Sequence, residues 1–307
     1  MRMLVLGAGG TGGYFGGRLA QAGADVTFLV RPARARELAS DGLVIRSPLG
    51  DASFPVRHVV ADDVAAQAPF DVVLLACKAY DLDSAMDAIA PAMGPDTVIL
   101  PILNGLAHYP VLDQRFGADR VLGGLCIISA TKGPAGEVLH LGPPASITFG
   151  ERQPGKQKDH CEAIATFCRE ASLEHTHAAD IDGAIWTKFT FLTALASGTC
   201  LFRASVGGIV ATDEGRDFMD GLYGECLAVA KAAGHPVPES AQKMALHAIT
   251  QPGSPLTSSM LRDLLAGQHT EGAHIVGDML HRARAAGVAA PHLSAAWIHL
   301  QAYEATR

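Results

Sequence analysis

Short apolar runs alternate with helically spaced ones through the first half of the chain. Met3 to Leu6 is strand-like, Gly12 to Gln21 carries helical spacing, and Asp25 to Val30 reads as a second strand. Asp71 to Ala76 and Thr97 to Leu103 are further β-rich runs separated by helix-like segments. The alternation predicts βαβ units and a mostly parallel sheet. After Ala130 the texture changes: Gly133, Pro134 and Gly136 mark a turn, and Glu137 to Leu141 with Ala145 to Gly150 predict a hairpin closing that sheet. Glu151 to His160 reads as a polar surface loop, Cys161 to Glu170 as one more helix, and Leu173 to Asp180 as a link.

From about Ile181 the pattern is helical, with Trp186, Phe189, Leu192, Leu195 and Ala196 recurring along one helix up to Gly198. A second helix is expected from near Asp213 to Gly234, with Pro236 and Pro238 beyond it. A third begins near Thr257, and a fourth runs from about Thr270 to Ala286, stopping at Gly287 with Pro291 after it. The expected organisation is an α/β domain over residues 1–178 and an all-α domain over 179–307. No internal repeat or low-complexity segment interrupts it.

Length supports that division, since 307 residues exceed the roughly 100–200 typical of one domain. With 49% hydrophobic and 18% charged residues, the chain has the material for large cores and the wrong composition for disorder. Twenty-four basic against 31 acidic residues leave a net charge of −7, the wrong sign for gripping a nucleic-acid backbone. The mean hydropathy of +0.20 raises the question of a membrane. A spanning helix needs about 20 predominantly apolar residues in a row, and the runs here are broken by residues such as Lys78 and Arg203. The opening MRMLVLGAGG passes straight from a strand into glycines, leaving no room for a signal peptide. Six cysteines without a CxxC suit a reducing compartment, so a cytoplasmic enzyme without membrane or nucleic-acid partners is expected.

The first candidate chemistry is LVLGAGGTGG. Gly7, Gly9 and Gly12 take the G-x-G-x-x-G spacing between a strand and a helix, with Ala8, Gly10 and Thr11 filling the loop. The first glycine permits a tight turn, the second a close approach of pyrophosphate, and the third close helix–strand packing. The helix start adds unbonded N–H groups and a positive dipole end. The alternative is a structural turn at a strand–helix junction; the context favours a dinucleotide. At the end of the second strand stands Arg31 where an acid would select NAD, so NADP(H) is expected, with Arg31 meeting the 2′-phosphate. Arg34 and Arg36 stand nearby and can add to the positive potential, although loop arginines are as a rule merely solvated. Lys78 and Asn104 end two further strands at the same sheet edge. Lysine can neutralise phosphate or carboxylate and asparagine can bond cofactor or substrate; viewed singly, each reads equally well as a solvated lysine and an Asn-Gly turn.

These residues, with "CKAYD", "PILNG", "IWTKF", "ECLAVAKAAGHPVP" and "SSMLRDLLAGQHTE" through "RARAAGVAAP", resemble the ketopantoate reductase (2-dehydropantoate 2-reductase) family over nearly the whole chain. The resemblance implies an N-terminal Rossmann-type domain, a helical C-terminal domain, and an active site in the cleft between them. It implies NADPH-dependent reduction of a 2-oxo acid, in this family ketopantoate to pantoate for pantothenate biosynthesis. Lys188 is similar to the catalytic proton donor and Glu271 to the active-site glutamate beside substrate and nicotinamide ribose. Asn104 matches the asparagine contacting cofactor and substrate, Lys78 the cofactor-side lysine, and Ala130 a backbone contact to the cofactor. Ser259 resembles the serine holding the substrate carboxylate, with Leu256, Thr257 and Ser258 supplying backbone beside it. Without the resemblance, Lys188 reads as a solvated helix lysine, Glu271 as a carboxylate at a helix start, and Ser259 as an ordinary helix residue.

The chain departs from the family where Leu192, Ala196, Val206 and Val276 replace substrate-side asparagines. Hydrogen-bonding groups carry discrimination, so the change points to a more apolar 2-oxo acid as the alternative substrate. A non-catalytic NADPH-binding sensor is the alternative from another class, against which the retained Lys188 and Glu271 argue. No metal is expected: His175 and His177 form the closest histidine pair, without a third ligand at recognisable spacing. The resemblance also implies that the helical domains pair into a homodimer.

Overall fold

A computed structural model describes residues 1–67 and 69–307. They fall into two compact units, one of Met1–Leu103 with His108–Ile181, the other of Asn104–Ala107 with Asp182–Arg307.

In the first unit the elements run β1 (Arg2–Leu6), α1 (Gly10–Gln21), β2 (Asp25–Leu29), α2 (Pro32–Asp41), β3 (Leu43–Arg46), β4 (Ala52–Phe54), β5 (Arg57–Val59) and β6 (Phe70–Leu75). There follow α3 (Leu82–Ile89), β7 (Met93–Pro101), α4 (His108–Phe116), β8 (Gly123–Lys132), β9 (Val138–Gly150), α5 (Lys158–Glu170) and β10 (Glu174–His177). One five-stranded parallel sheet has the order β5-β2-β1-β6-β7. Its central strands are buried on both faces, which is why Met3–Val5 and Val72–Leu75 read as unbroken apolar runs. Strand order reverses between β1 and β6, the place where a doubly wound sheet opens a ligand crevice at its carboxyl edge. Leu6 lies level with both Leu29 and Leu75, so the loops leaving β1, β2 and β6 emerge side by side.

The expected closing hairpin is corrected by the structure. Glu137–Leu141 and Ala145–Gly150 are not two strands, because β9 runs through both and pairs antiparallel with β8. The hairpin turn lies at 133–137. Ser129 pairs with Gly142 and Ile128 with Ala145, so Pro143 and Pro144 occupy an irregularity opposite no partner. Prolines belong there, having no N–H to give to a ladder. This pair builds a second sheet, β10-β9-β3-β4 with β8 on β9, rather than extending the first. The expected link 173–180 contains β10, a mainly polar edge strand whose His175 and His177 lie against the Phe149 ring. The loop expected to reach His160 ends earlier, at the start of α5.

The second unit holds α6 (Ile181–Phe202), α7 (Val206–Val210), α8 (Gly215–Ala232), α9 (Glu239–Ile249), α10 (Ser259–Leu265), α11 (Asp278–Ala285) and α12 (Pro291–Thr306). The α6 helix corrects the expectation of no membrane-length run: at 22 residues it is long and apolar enough to cross a bilayer, yet 67% of its most apolar stretch is buried inside the protein. It is a core helix. The helix expected over Thr270–Ala286 runs without a break from Gly272 to Ala285 and carries a π-helical turn over Ala273–Gly277 before α11. Pro291, which looked like a terminator, sits at the first positions of α12, where its missing N–H costs nothing. The α12 start is capped from α8: the buried Glu225 carboxylate accepts from the amides of His292 and Leu293, both at 2.9 Å.

Candidate functional site

In the first unit the glycine loop follows β1 directly. Gly7 has φ +90°, a left-handed setting that favours glycine, and its N–H bonds Leu29 O at 2.9 Å. A Cβ on Gly12 would lie 2.5 Å from Gly7 O, so the start of α1 approaches the loop as only glycine permits. A Cβ on Gly10 would lie 2.9 Å from Ala130 O, which places the Ala130 backbone of β8 against the loop. Around Gly9, by contrast, a Cβ would meet nothing within 4 Å. Gly9 is the N-cap of α1 and offers no side chain to the first helical amides. Clear space around Gly9, facing the N–H groups of the helix start, fits a pyrophosphate.

Arg31 stands just past β2, its side chain 77% exposed and 3.2 Å from Asp81 Oδ1. Asp81 belongs to the short 3-10 turn Ala79–Asp81, whose preceding residue is the half-buried Lys78. The two predicted cations are thus carried to one edge, on loops from the strands that flank β1. Arg34 departs from the solvated reading: its side chain is only 11% exposed, and Nη2 lies 3.0 Å from Ala8 O inside the glycine loop. Only the folded packing of α2 shows this.

In the second unit, Lys188 projects from α6 and donates to Asn104 Oδ1 at 3.0 Å. Gly105 takes φ +85°, the Asn-Gly turn read from sequence, and its Cβ position would lie 2.7 Å from His274 O. That turn therefore abuts the π-helical segment. Glu271 lies just before the same segment, 5% exposed, and its carbonyl accepts from the amides of His274 and Ile275. π-helical turns recur at functional sites. A half-buried ammonium held by an amide oxygen, with a buried carboxylate in the same unit, can orient and deliver a proton to a developing oxyanion.

The side chain of Ser258 is engaged within the helical unit. Its hydroxyl caps α10 by accepting from Leu261 N at 3.0 Å and lies 2.9 Å from Thr199 Oγ1 of α6. Leu256, Thr257 and Ser259 are half-buried beside it, and Leu256 O accepts from Val206 N at 2.9 Å. Thr199 is 11 residues beyond Lys188, roughly 16 Å along the helix. Of the four apolar replacements, Ala196, Val206 and Val276 are wholly buried and Leu192 is half-buried. Thr193 and Ser197, one residue on from Leu192 and Ala196, are wholly buried too, with hydroxyls that have no partner among the described residues.

Comparison with known proteins bears on the family. The family profile described as ketopantoate reductase PanE/ApbA matches residues 3–154, and its C-terminal companion matches residues 180–304. An uncharacterized oxidoreductase of Bacillus subtilis (strain 168), YkpB, is 38% identical over the full length of both chains. A 2-dehydropantoate 2-reductase of Halobacterium salinarum is 30% identical, covering 95% of each chain. Among solved structures, a 2-dehydropantoate 2-reductase from Geobacter metallireducens GS-15 superposes with a TM-score of 0.89 at 28% identity, covering 98% of this chain and 99% of its own. A D-mandelate dehydrogenase solved with NADH and anilino(oxo)acetate shares the fold, with a TM-score of 0.88 at 19% identity over 100% of this chain and 99% of its own. The chain belongs to the ketopantoate reductase family, NAD(P)H-dependent oxidoreductases of CH–OH groups that reduce a 2-oxo acid.

Proposed function

We propose that this protein reduces 2-dehydropantoate to pantoate with NADPH, as a step of pantothenate biosynthesis in the cytoplasm. The observation that carries the reading is the Lys188–Asn104 hydrogen bond, which holds the candidate acid in place. A nicotinamide dinucleotide held at the glycine loop would supply hydride for the carbonyl carbon. Lys188 stabilises the charge growing on the carbonyl oxygen and gives it a proton, and Asn104 orients the ammonium. Glu271, buried in the same unit, sets the polarity around the lysine and meets the nicotinamide ribose. Gly7 to Gly12 and Ala130 receive the pyrophosphate, while Arg31 and Lys78 meet the remaining phosphate charge. Ser259, with the backbone of Leu256 to Ser258, holds the substrate carboxylate. In this scheme residues 1–178 form the NADP-binding domain and 179–307 the substrate domain.

The apolar residues Leu192, Ala196, Val206 and Val276, which stand where the family keeps asparagines, favour a second reading, in which a more apolar 2-oxo acid is the substrate. NADPH oxidation measured with ketopantoate against a panel of 2-oxo acids separates the two. Highest kcat/KM for ketopantoate supports the first, and preference for a bulkier apolar acid replaces it with the second. Sedimentation analysis checks the homodimer that the resemblance implies.

A further inference from the structure

The grip on the glycine loop comes from a residue outside it. Arg34 gives Nη2 to Ala8 O at 3.0 Å and Nη1 to Glu37 Oε2 at 2.7 Å, one turn along α2. Glu37 in turn accepts from Lys132 Nζ at 3.0 and 3.3 Å, and Lys132 is the last residue of β8. The turn after β8 closes over the group: a Cβ on Gly136 would lie 2.8 Å from Arg34 Nη1 and 3.0 Å from Glu37 Oε2. Removing a guanidinium from water is costly unless its bonds are well placed, so an arginine side chain only 11% exposed and aimed at one loop carbonyl calls for a reason.

The loop itself supplies one. Ala8 is flanked by Gly7 and Gly9, so the Ala8–Gly9 peptide has little intrinsic hindrance to rotating between its neighbours. The adjoining groups are already fixed, Gly7 N–H on Leu29 O and Gly9 O on Gly13 N–H. A planar peptide has its carbonyl and N–H on opposite sides, so anchoring the oxygen fixes the whole unit. A released Ala8 carbonyl could turn its partial negative charge toward a bound phosphate.

We propose that Arg34 is a positioning residue for the dinucleotide: it holds the Ala8 carbonyl away from the phosphates and keeps the amides at the start of α1 presented to them. Glu37 and Lys132 hold Arg34 in that setting. This rests on the glycine loop being the pyrophosphate site, and it assigns Arg34 to a part of the cofactor common to NADPH and NADH, unlike Arg31.

The test is fluorescence titration of full-length wild type, Arg34→Gln, Arg34→Lys and Glu37→Gln with NADPH and with NADH, alongside steady-state kinetics. Arg34→Gln should raise both dissociation constants by the same factor, on the order of ten-fold, the size expected for a charge-assisted hydrogen bond. KM for the cofactor should rise with kcat at saturation unchanged, a split that mere loss of fold does not produce. Arg34→Lys should recover part of the loss. Unchanged affinity, or a loss confined to NADPH, overturns the proposal. If Arg34→Gln does not fold, Glu37→Gln decides: equal weakening of both cofactors supports the role and unchanged binding removes it. Failure of the wild type to bind either dinucleotide sinks instead the reading of the loop on which the proposal stands.

Discussion

Lys188 takes its meaning from one neighbour, Asn104, 84 residues earlier in the chain. Lys188→Ala removes the proposed acid and leaves the glycine loop untouched. Its kcat should therefore fall by at least ~100-fold with NADPH affinity nearly intact, as paired kinetics and cofactor titration would show. Normal turnover would end the assignment. Arg31→Ala should weaken NADPH far more than NADH. Its exposed pair with Asp81 is worth about 0–1 kcal/mol and is readily exchanged for a phosphate. Equal losses for the two cofactors would remove Arg31 from 2′-phosphate recognition. At this scale the glycine loop was legible because its spacing is itself the chemistry: each glycine answers a distance or a dihedral. Arg34 was not legible, since nothing local distinguishes a half-buried arginine from its exposed neighbour Arg36.

Among elements, long apolar ones were legible and short polar ones were not. The central strands and α6 announce themselves through runs of Val, Leu and Ile, whereas β10 is Glu-His-Thr-His and is defined by its partner β9 alone. The continuity of β9 through Pro143 and Pro144 and the helix that Pro291 opens were not legible. The segment leading to Glu271 is tied to the last helix. Glu304 of α12 accepts from Thr270 N and Thr270 Oγ1, both at 2.8 Å, and from His269 at 3.0 Å. Burial alone would push the Glu304 carboxyl up, but these donors outweigh it and hold it below its ordinary 4.5. Because the native carboxyl binds protons less readily than the unfolded one, its contribution is complete above about 4.5 and is lost as pH falls through the lower native value. Thermal melts across acid pH should show that decline in the wild type, and Glu304→Gln should lack this part of it. Parallel acid profiles would remove Glu304 as an anchor.

Over the whole molecule, burial sets the chemistry of the thiols. The six cysteines form no disulfide among the described residues, and five of them are buried. Burial pushes the thiols of Cys161, Cys168 and Cys200 up to about 12 and raises that of Cys226, so their reactive thiolate is scarce at neutral pH. A thiol reagent should therefore label Cys77 first in the native protein and all six cysteines only in denaturant. Rapid labelling of several thiols in the folded protein would contradict this packing. The division into an α/β part and a helical part was legible in the change of periodicity. That four residues of the first half pack with the second was not, because no pattern in "NGLA" marks it.

That excursion of Asn104–Ala107 has a practical bearing on how the protein can be recombined. A chimera made by exchanging everything after residue 181 between two relatives would pair one parent's lysine with the other parent's asparagine turn. A graft that respects the packing has to move two separate stretches, 104–107 and 182–307, as one inheritance.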